Sequence, residues 1–184
     1  MKILIIFIII GIIVVLYAVT GYNRFIKLRN LVDEAFATMD VYLKKRWDLV
    51  PNLVNTVKGY AEHEKATLES VTSMRRQSYD SLTPEQKIAA NKELGAGLGR
   101  LIATAEAYPD LKADQQFLQL SKQLNDIEND IANSRRYYNA TVRDLNTRIE
   151  SFPSNIIAGL FHFNKRPMFE VPSSAERDNV KVEF

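Results

Sequence analysis

The 184-residue chain has no cysteine, two histidines and one tryptophan, and only seven glycines and six prolines. Each shortage closes off a class of chemistry or structure. Without cysteine there is no disulfide, no Cys-His nucleophile pair and no lipid attachment at a lipoprotein-type cysteine. A serine triad has only His63 and His162 to draw on as its base, and neither stands in a recognised nucleophile context. The histidines also fail the metal-ligand patterns. In Glu62-His63-Glu64 adjacent side chains on a helix point about 100° apart, no Glu-x-x-His spacing occurs, and HExxH is absent. Both are read as surface or interface residues. The glycines of GAGLG, Gly95, Gly97 and Gly99, follow no strand and match neither a Walker loop nor the dinucleotide fingerprint. Close helix contact or local helix weakness is their expected meaning. No stretch alternates at the strand period and no internal repeat is present, so the soluble part is expected to be all-α.

What is present is unevenly spread. Ile3 to Val19, ILIIFIIIGIIVVLYAV, carries no charge, and a helix of that length rises about 26 Å, close to the hydrocarbon core of a bilayer at about 30 Å. The run exceeds a signal-peptide core, and nothing near Ala18 to Thr20 makes a small-x-small cleavage site. A membrane anchor is therefore expected, with residues 3–19 meeting the bilayer. Arg24, Lys27 and Arg29 follow it while Lys2 and the α-amino group precede it, so the positive-inside rule places the remainder in the cytoplasm by a margin of about one charge. The net charge of +2 gives no reason to expect a nucleic-acid partner.

Beyond the anchor, residues recur in steps of four and three: Val32, Phe36, Met39, Leu43, Arg46, Val50, Leu53, Val57, Tyr60, Glu64, Thr67, Val71 and Met74. All but Arg46, Glu64 and Thr67 are apolar, the seam of a helix that packs on partners. The count passes through Pro51 without slipping, which predicts one helix from about residue 22 to about residue 78, kinked at Pro51. The rival is that Asp48 caps a new helix there and divides the rod. Thr83, Pro84 and Gln86 form a capping box with proline at the first helical position, opening a second helix that Pro109 stops near Tyr108. After a turn at PDLKAD, Phe117, Leu120, Leu124, Ile127, Ile131, Ser134, Tyr138, Val142, Leu145 and Ile149 mark a third helix. It has two consecutive steps of four, and Ser151-Phe-Pro153 ends it. Ser154 or Asn155 is expected to cap a short helix through Ile156, Ile157 and Leu160. From Arg166 an extended strap around Met168 and Phe169 leads into a solvated tail. The first helix, at about 85 Å, outreaches the second, at about 39 Å. Either it folds back or its membrane-proximal part is a stalk that another subunit must cover.

Two charges interrupt the first seam. For Arg46 the leading account is a guanidinium that snorkels out past Trp47 while its stem packs. The second is that Arg46 and Glu64 each meet an opposite charge from another helix, such as Glu106, Glu128 or Arg135, and set the register of the bundle. A functional polar site in the core is the third. Lys44, Lys45 and Arg46, beside Tyr42 and Trp47, also suggest a lipid-facing patch, although a three-residue basic cluster is usually a solvated face.

The blocks YNRFIKLRNLVDEAF, LKKRWDLVPNLVNTVKGYAEHE, EAYPDLKADQQFLQL, IENDIANSRRYYNATVRDLNTRIESFPSNIIA and MFEV, in that order after an apolar span, resemble the LemA family of bacterial membrane-anchored proteins. The resemblance implies a single-pass plasma-membrane protein without established enzymatic activity, and it brings no catalytic, metal or cofactor residues. Arg46, Asp48, Pro51, Asn52, Tyr60, Glu64, Pro109 and Asn139 are the shared positions expected to mark architecture or a partner surface. The expected organisation is an anchor over 1–21, an elongated antiparallel bundle of three to four long helices over 22–165, and a strap and tail over 166–184. The expected role is that of a membrane-anchored scaffold or interaction protein that associates with its own copies or with other membrane-associated proteins. The alternative is a membrane-shaping or lipid-surface-binding protein.

Overall fold

The computed structural model describes residues 1–61, 64–73 and 78–169, with Glu106 described by its backbone alone. Among these residues the fold is all-α, with no strand. The elements are α1 (Lys2–Lys58), α2 (Lys65–Ser73), a 3-10 turn (Tyr79–Ser81), α3 (Pro84–Glu106), α4 (Pro109–Ala113), α5 (Gln115–Glu150) and α6 (Ser154–Leu160). His63, Met74 and the tail from Glu170 onward lie outside the described residues.

α1 is one helix of 57 residues that holds Pro51 in its interior, so the division of the rod at Pro51 does not occur. Pro51 lacks the N–H that would bond the Trp47 carbonyl, but its neighbours Val50 and Leu53 are buried, and their packing holds the helical path. The apolar window at the start of α1 has a mean hydropathy of 3.2 and none of it is buried. The helix is long and apolar enough there to cross a membrane. The expected continuation to residue 78 is corrected: α1 ends at Lys58, and the chain turns through Gly59 and Tyr60 before α2. Tyr60 and Ala61 both donate their N–H to the Val57 carbonyl, at 3.0 and 2.9 Å. Glycine at the end of a helix is its weakest propagating residue.

The described chain divides into two compact units, one of residues 1–38 and 134–168 and the other of 39–133 with Phe169. In the first, Phe25, Val32 and Ala35 of α1 are buried, as are Tyr138, Val142 and Leu145 of α5 and Ile157 and Ala158 of α6. Gly21 meets Ile157 and Phe36 meets Tyr138 edge to face at 5.9 Å, so this part of α1 and the chain from α5 to α6 run antiparallel. The two consecutive steps of four do not end α5, and both Tyr138 and Val142 are buried. The strap is pinned where Asn146 exchanges two hydrogen bonds with the backbone of Arg166, each 2.9 Å. Tyr138 donates to the Pro167 carbonyl at 3.0 Å. Of the two residues expected to anchor the strap, Phe169 is buried and Met168 is exposed.

In the second unit Met39, Leu43, Val50, Leu53 and Val57 of α1 pack in a core with Leu68 and Val71 of α2, Leu94, Leu98 and Leu101 of α3, and Phe117, Leu120 and Leu124 of α5. Asp40 pairs with Lys87 and Arg46 with Asn91, so α1 and α3 run parallel. Arg46 pairs with Glu128 and Tyr60 with Asp114, so α5 runs against α1. The chain thus folds back after Lys58, and α3, at about 34 Å, lies beside a comparable length of α1. Thr83 caps α3 as expected: its hydroxyl accepts from the Gln86 N–H at 3.3 Å, and the Gln86 side chain accepts from the Thr83 N–H at 2.9 Å. Pro109 does more than stop α3. It opens α4, after an extended Tyr108, the conformation that a following proline imposes.

α6 departs from expectation at both ends. Ser154 is its first helical residue rather than its cap, and its hydroxyl donates back to the carbonyls of Arg148 and Ser151, at 2.7 and 2.8 Å. Its C-terminus closes as a Schellman motif, with Phe163 N–H on the Ala158 carbonyl at 2.9 Å and His162 N–H on the Gly159 carbonyl at 3.4 Å. His162 occupies the left-handed position, φ 56, where glycine is usual. His162→Gly is therefore expected to raise stability by about 0.5–1 kcal/mol, and His162→Val to lower it by about 1 kcal/mol or more. Denaturation of the full chain in detergent, followed by circular dichroism, measures both.

Candidate functional site

The seam of α1 places Arg46 on its buried face, between Leu43 and Val50. Only 5% of Arg46 is exposed and none of Asn91, so the snorkelling account is corrected: the guanidinium points inward. Leaving an arginine unpaired there would be prohibitive, and all of its donors are matched. Nη1 donates to both carboxylate oxygens of Glu128, at 2.7 and 3.0 Å. Nη2 donates to the Asn91 carbonyl at 2.5 Å and to its side-chain oxygen at 3.0 Å, and Nε reaches the same oxygen at 3.3 Å. Asn91 donates its own amide to the Lys87 carbonyl at 3.0 Å. Gly95 lies one turn along α3, and a β-carbon there would come within 3.4 Å of Nη1. One glycine of GAGLG is thus a close contact that makes room for the guanidinium.

A second polar cluster lies one to two turns back along α1. Asp40 accepts from Tyr79 at 2.6 Å and from Lys87 at 2.7 Å. The Tyr79 ring packs on Trp47 at 5.4 Å between centroids, with the Lys87 ammonium 4.8 Å from its centre. Burial, and then the hydrogen bond to the Asp40 carboxylate, push the Tyr79 hydroxyl far above the usual phenol range. It stays a neutral donor throughout ordinary pH.

The remaining shared positions scatter. Asp48 and Asn52 are exposed. Asp48 pairs with Lys44 at 3.3 Å, and Asp48 and Asn52 border an open groove of about 460 Å³ with Lys45, Gln123, Asp126 and Ile127. Pro51 is half-buried beside them in sequence. Tyr60, Glu64 and Pro109 gather at the turn after α1. Tyr60 donates to Asp114 at 2.9 Å, and the Tyr108 hydroxyl reaches Glu64 at 3.5 Å, so Glu64 meets a hydroxyl where an opposite charge was expected. Asp114 also caps α5 by accepting from the Phe117 N–H at 2.8 Å. That bond, followed by the one from Tyr60, holds its carboxyl below the usual carboxylate range. Asn139 belongs to the other unit. The basic and aromatic residues at 42–47 do not form a free patch, since Arg46 and Trp47 are buried and Lys44 is paired.

These arrangements can fix register, and their charges are satisfied by one another. Among the described residues no three His, Asp or Glu side chains gather as metal ligands would. Asn91, Asp40, Tyr79, Lys87 and Asp114 were not singled out from sequence. Asn91 carried a usable signal, because it interrupts the apolar steps of α3 between Ile88 and Leu94 as Arg46 interrupts those of α1.

The profile of the LemA family matches residues 35–184. Protein LemA of Metamycoplasma hominis is 26% identical, over 86% of this chain and 72% of its own length. Magnetosome protein MamQ of Magnetospirillum gryphiswaldense is 22% identical over 80% of this chain, and magnetosome protein MamQ 2 of Paramagnetospirillum magneticum is 22% identical over 81%. The alignment spans 64% of each magnetosome protein, just under two thirds.

Removing Arg46 leaves the Asn91 side-chain oxygen buried and unmatched, so Arg46→Ala is expected to destabilise by about 3–5 kcal/mol. Glu128 is 42% exposed, so Glu128→Gln should cost only about 1 kcal/mol. A double-mutant cycle in urea, read by circular dichroism, measures the coupling. An Arg46→Ala cost no larger than that of Glu128→Gln would show that the guanidinium does not organise the core.

Proposed function

The chain belongs to the LemA family and is a membrane-associated helical protein, and from that premise we propose that it is a membrane-anchored scaffold that associates with copies of itself and has no catalysis of its own. One observation carries this reading. α1 has a second stripe, Val41, Lys45, Asp48 and Asn52, spaced by four, three and four and exposed throughout, while its buried stripe is completed by α3 and α5. The stripe joins an apolar side chain to one charge of each sign. Such a surface suits an isologous contact, in which Lys45 of one copy faces Asp48 of the other and the same patch serves both. The satisfied charges around Arg46 support an architectural role for the buried polar groups. The basic residues after the span support a cytoplasmic placement of residue 22 onward in a bacterial plasma membrane.

Because the chain has no cysteine, single substitutions give unambiguous crosslinks. Asp48→Cys and Asn52→Cys, oxidised in native membranes, are expected to yield a disulfide-linked dimer, and Arg143→Cys on exposed α5 is expected to remain monomeric. Monomer alone at positions 48 and 52 would overturn the proposal.

A further inference from the structure

α6 is apolar nearly all round. Ile157 and Ala158 face inward and are 5% and 2% exposed, whereas Ile156 and Leu160 are 61% and 69% exposed. Phe152 just before the helix is 80% exposed and Phe161 just after it 46%. Ile156 and Leu160 are spaced by four within α6, so they share one face. A single exposed apolar residue needs no explanation, but four large ones within ten positions form a patch that water does not favour.

Its position within its unit identifies what covers it. The apolar run of α1 ends at Val19, and the first buried residue of α1 is Gly21, where the missing side chain admits Ile157 of α6. Two residues along a helix are about 3 Å, so α6 lies level with the end of the span. Tyr22 follows at once, with its ring 4.8 Å from Phe161 and 5.8 Å from Phe163. Aromatic rings at that depth are the usual mark of the membrane–water interface. The uncovered stripe of α6 is thus continuous with the uncovered apolar surface of α1.

We propose that α6, with Phe152 and Phe161 at its ends, is an interfacial membrane anchor that seats its apolar stripe in the same bilayer leaflet from which α1 emerges. The occupant is lipid, not a second protein, because the surface it extends is the one that faces acyl chains. Insertion by such an element reaches about 5–10 Å into the headgroup and acyl boundary. The basic residues after it are already matched, Lys165 with Glu150 and Arg166 with Asp33. Apolar burial therefore drives the contact, and it holds on zwitterionic vesicles as well as on anionic ones. This inference is independent of self-association through α1.

The test uses the full chain reconstituted in phosphatidylcholine vesicles, with and without phosphatidylglycerol, and nitroxide labels on Ile156→Cys and Leu160→Cys. Ile10→Cys in the span and Asp144→Cys on exposed α5 are the references, and circular dichroism checks that each variant keeps its helix content. The expected result is a ratio of oxygen to aqueous nickel-chelate collisions at 156 and 160 that is about tenfold above that at 144 and below that at 10, in both lipid mixtures. Equal nickel access at 144, 156 and 160 would overturn the proposal. Exclusion of both reagents with spin–spin broadening would also overturn it, in favour of a second copy on this face.

Discussion

A buried guanidinium is the constraint on which the larger helical unit depends. Arg46 lies 5% exposed in the apolar seam of α1, and desolvating it costs several kcal/mol unless its donors are matched. That requirement determines what must stand opposite. Asn91 must offer both its carbonyl and its side-chain oxygen, Glu128 must bring a carboxylate from α5, and residue 95 must be small enough to leave the space open. A shift of α3 or α5 by one turn, about 5 Å, would break these bonds together. Apolar packing alone tolerates such slips far better, since one leucine fills much the same space as the next. The arginine therefore contributes chiefly to specificity of register.

The other polar contacts extend that arrangement along α1. Asp40, Tyr79 and Lys87 tie the segment before α3 to α1, and Tyr60 and Asp114 tie the turn after α1 to the start of α5. Between them the apolar residues of α1, α2, α3 and α5 close a core whose exposed side still carries the stripe from Val41 to Asn52. In the other unit the balance is reversed. There the polar contacts secure the strap, through Asn146 and Tyr138, and the apolar residues of α6 outnumber the inward positions available to them. The two proposals assign these uncovered surfaces to different occupants, the bilayer to α6 and a second copy to α1.

Much of the fold was legible in the residue spacing. The seam of α1 is buried from Val32 to Val57 wherever it was apolar, apart from half-buried Phe36, and the capping box at Thr83 forms as written. The turn after Lys58 was missed because the count of threes and fours continues through Tyr60 to Val71, and the periodicity of an apolar face is blind to one glycine. Pro51 is the more visible mark in the sequence, but a proline flanked by buried Val50 and Leu53 is held by packing. Arg46 is legible as an interruption and Glu128 as one of its candidate partners, but whether the guanidinium turns out or in depends on Asn91 and Glu128 together, which lie 45 and 82 residues away in sequence. Pairing of that kind follows from tertiary geometry and leaves no local periodic mark. The stripe on α6 is not legible for the opposite reason: a helix apolar nearly all round does not reveal which of its faces is covered.

The most direct test replaces the charged network by an apolar one of similar volume. The triple variant Arg46→Met, Asn91→Leu and Glu128→Met keeps the packing of α1, α3 and α5 and removes every bond of the cluster. If the network sets the register, the variant retains its helix content but unfolds less cooperatively than the parent chain, because an apolar core no longer distinguishes one register of α3 and α5 from the next. A variant that unfolds as cooperatively as the parent chain would contradict the account, because apolar packing alone would then suffice to set the register.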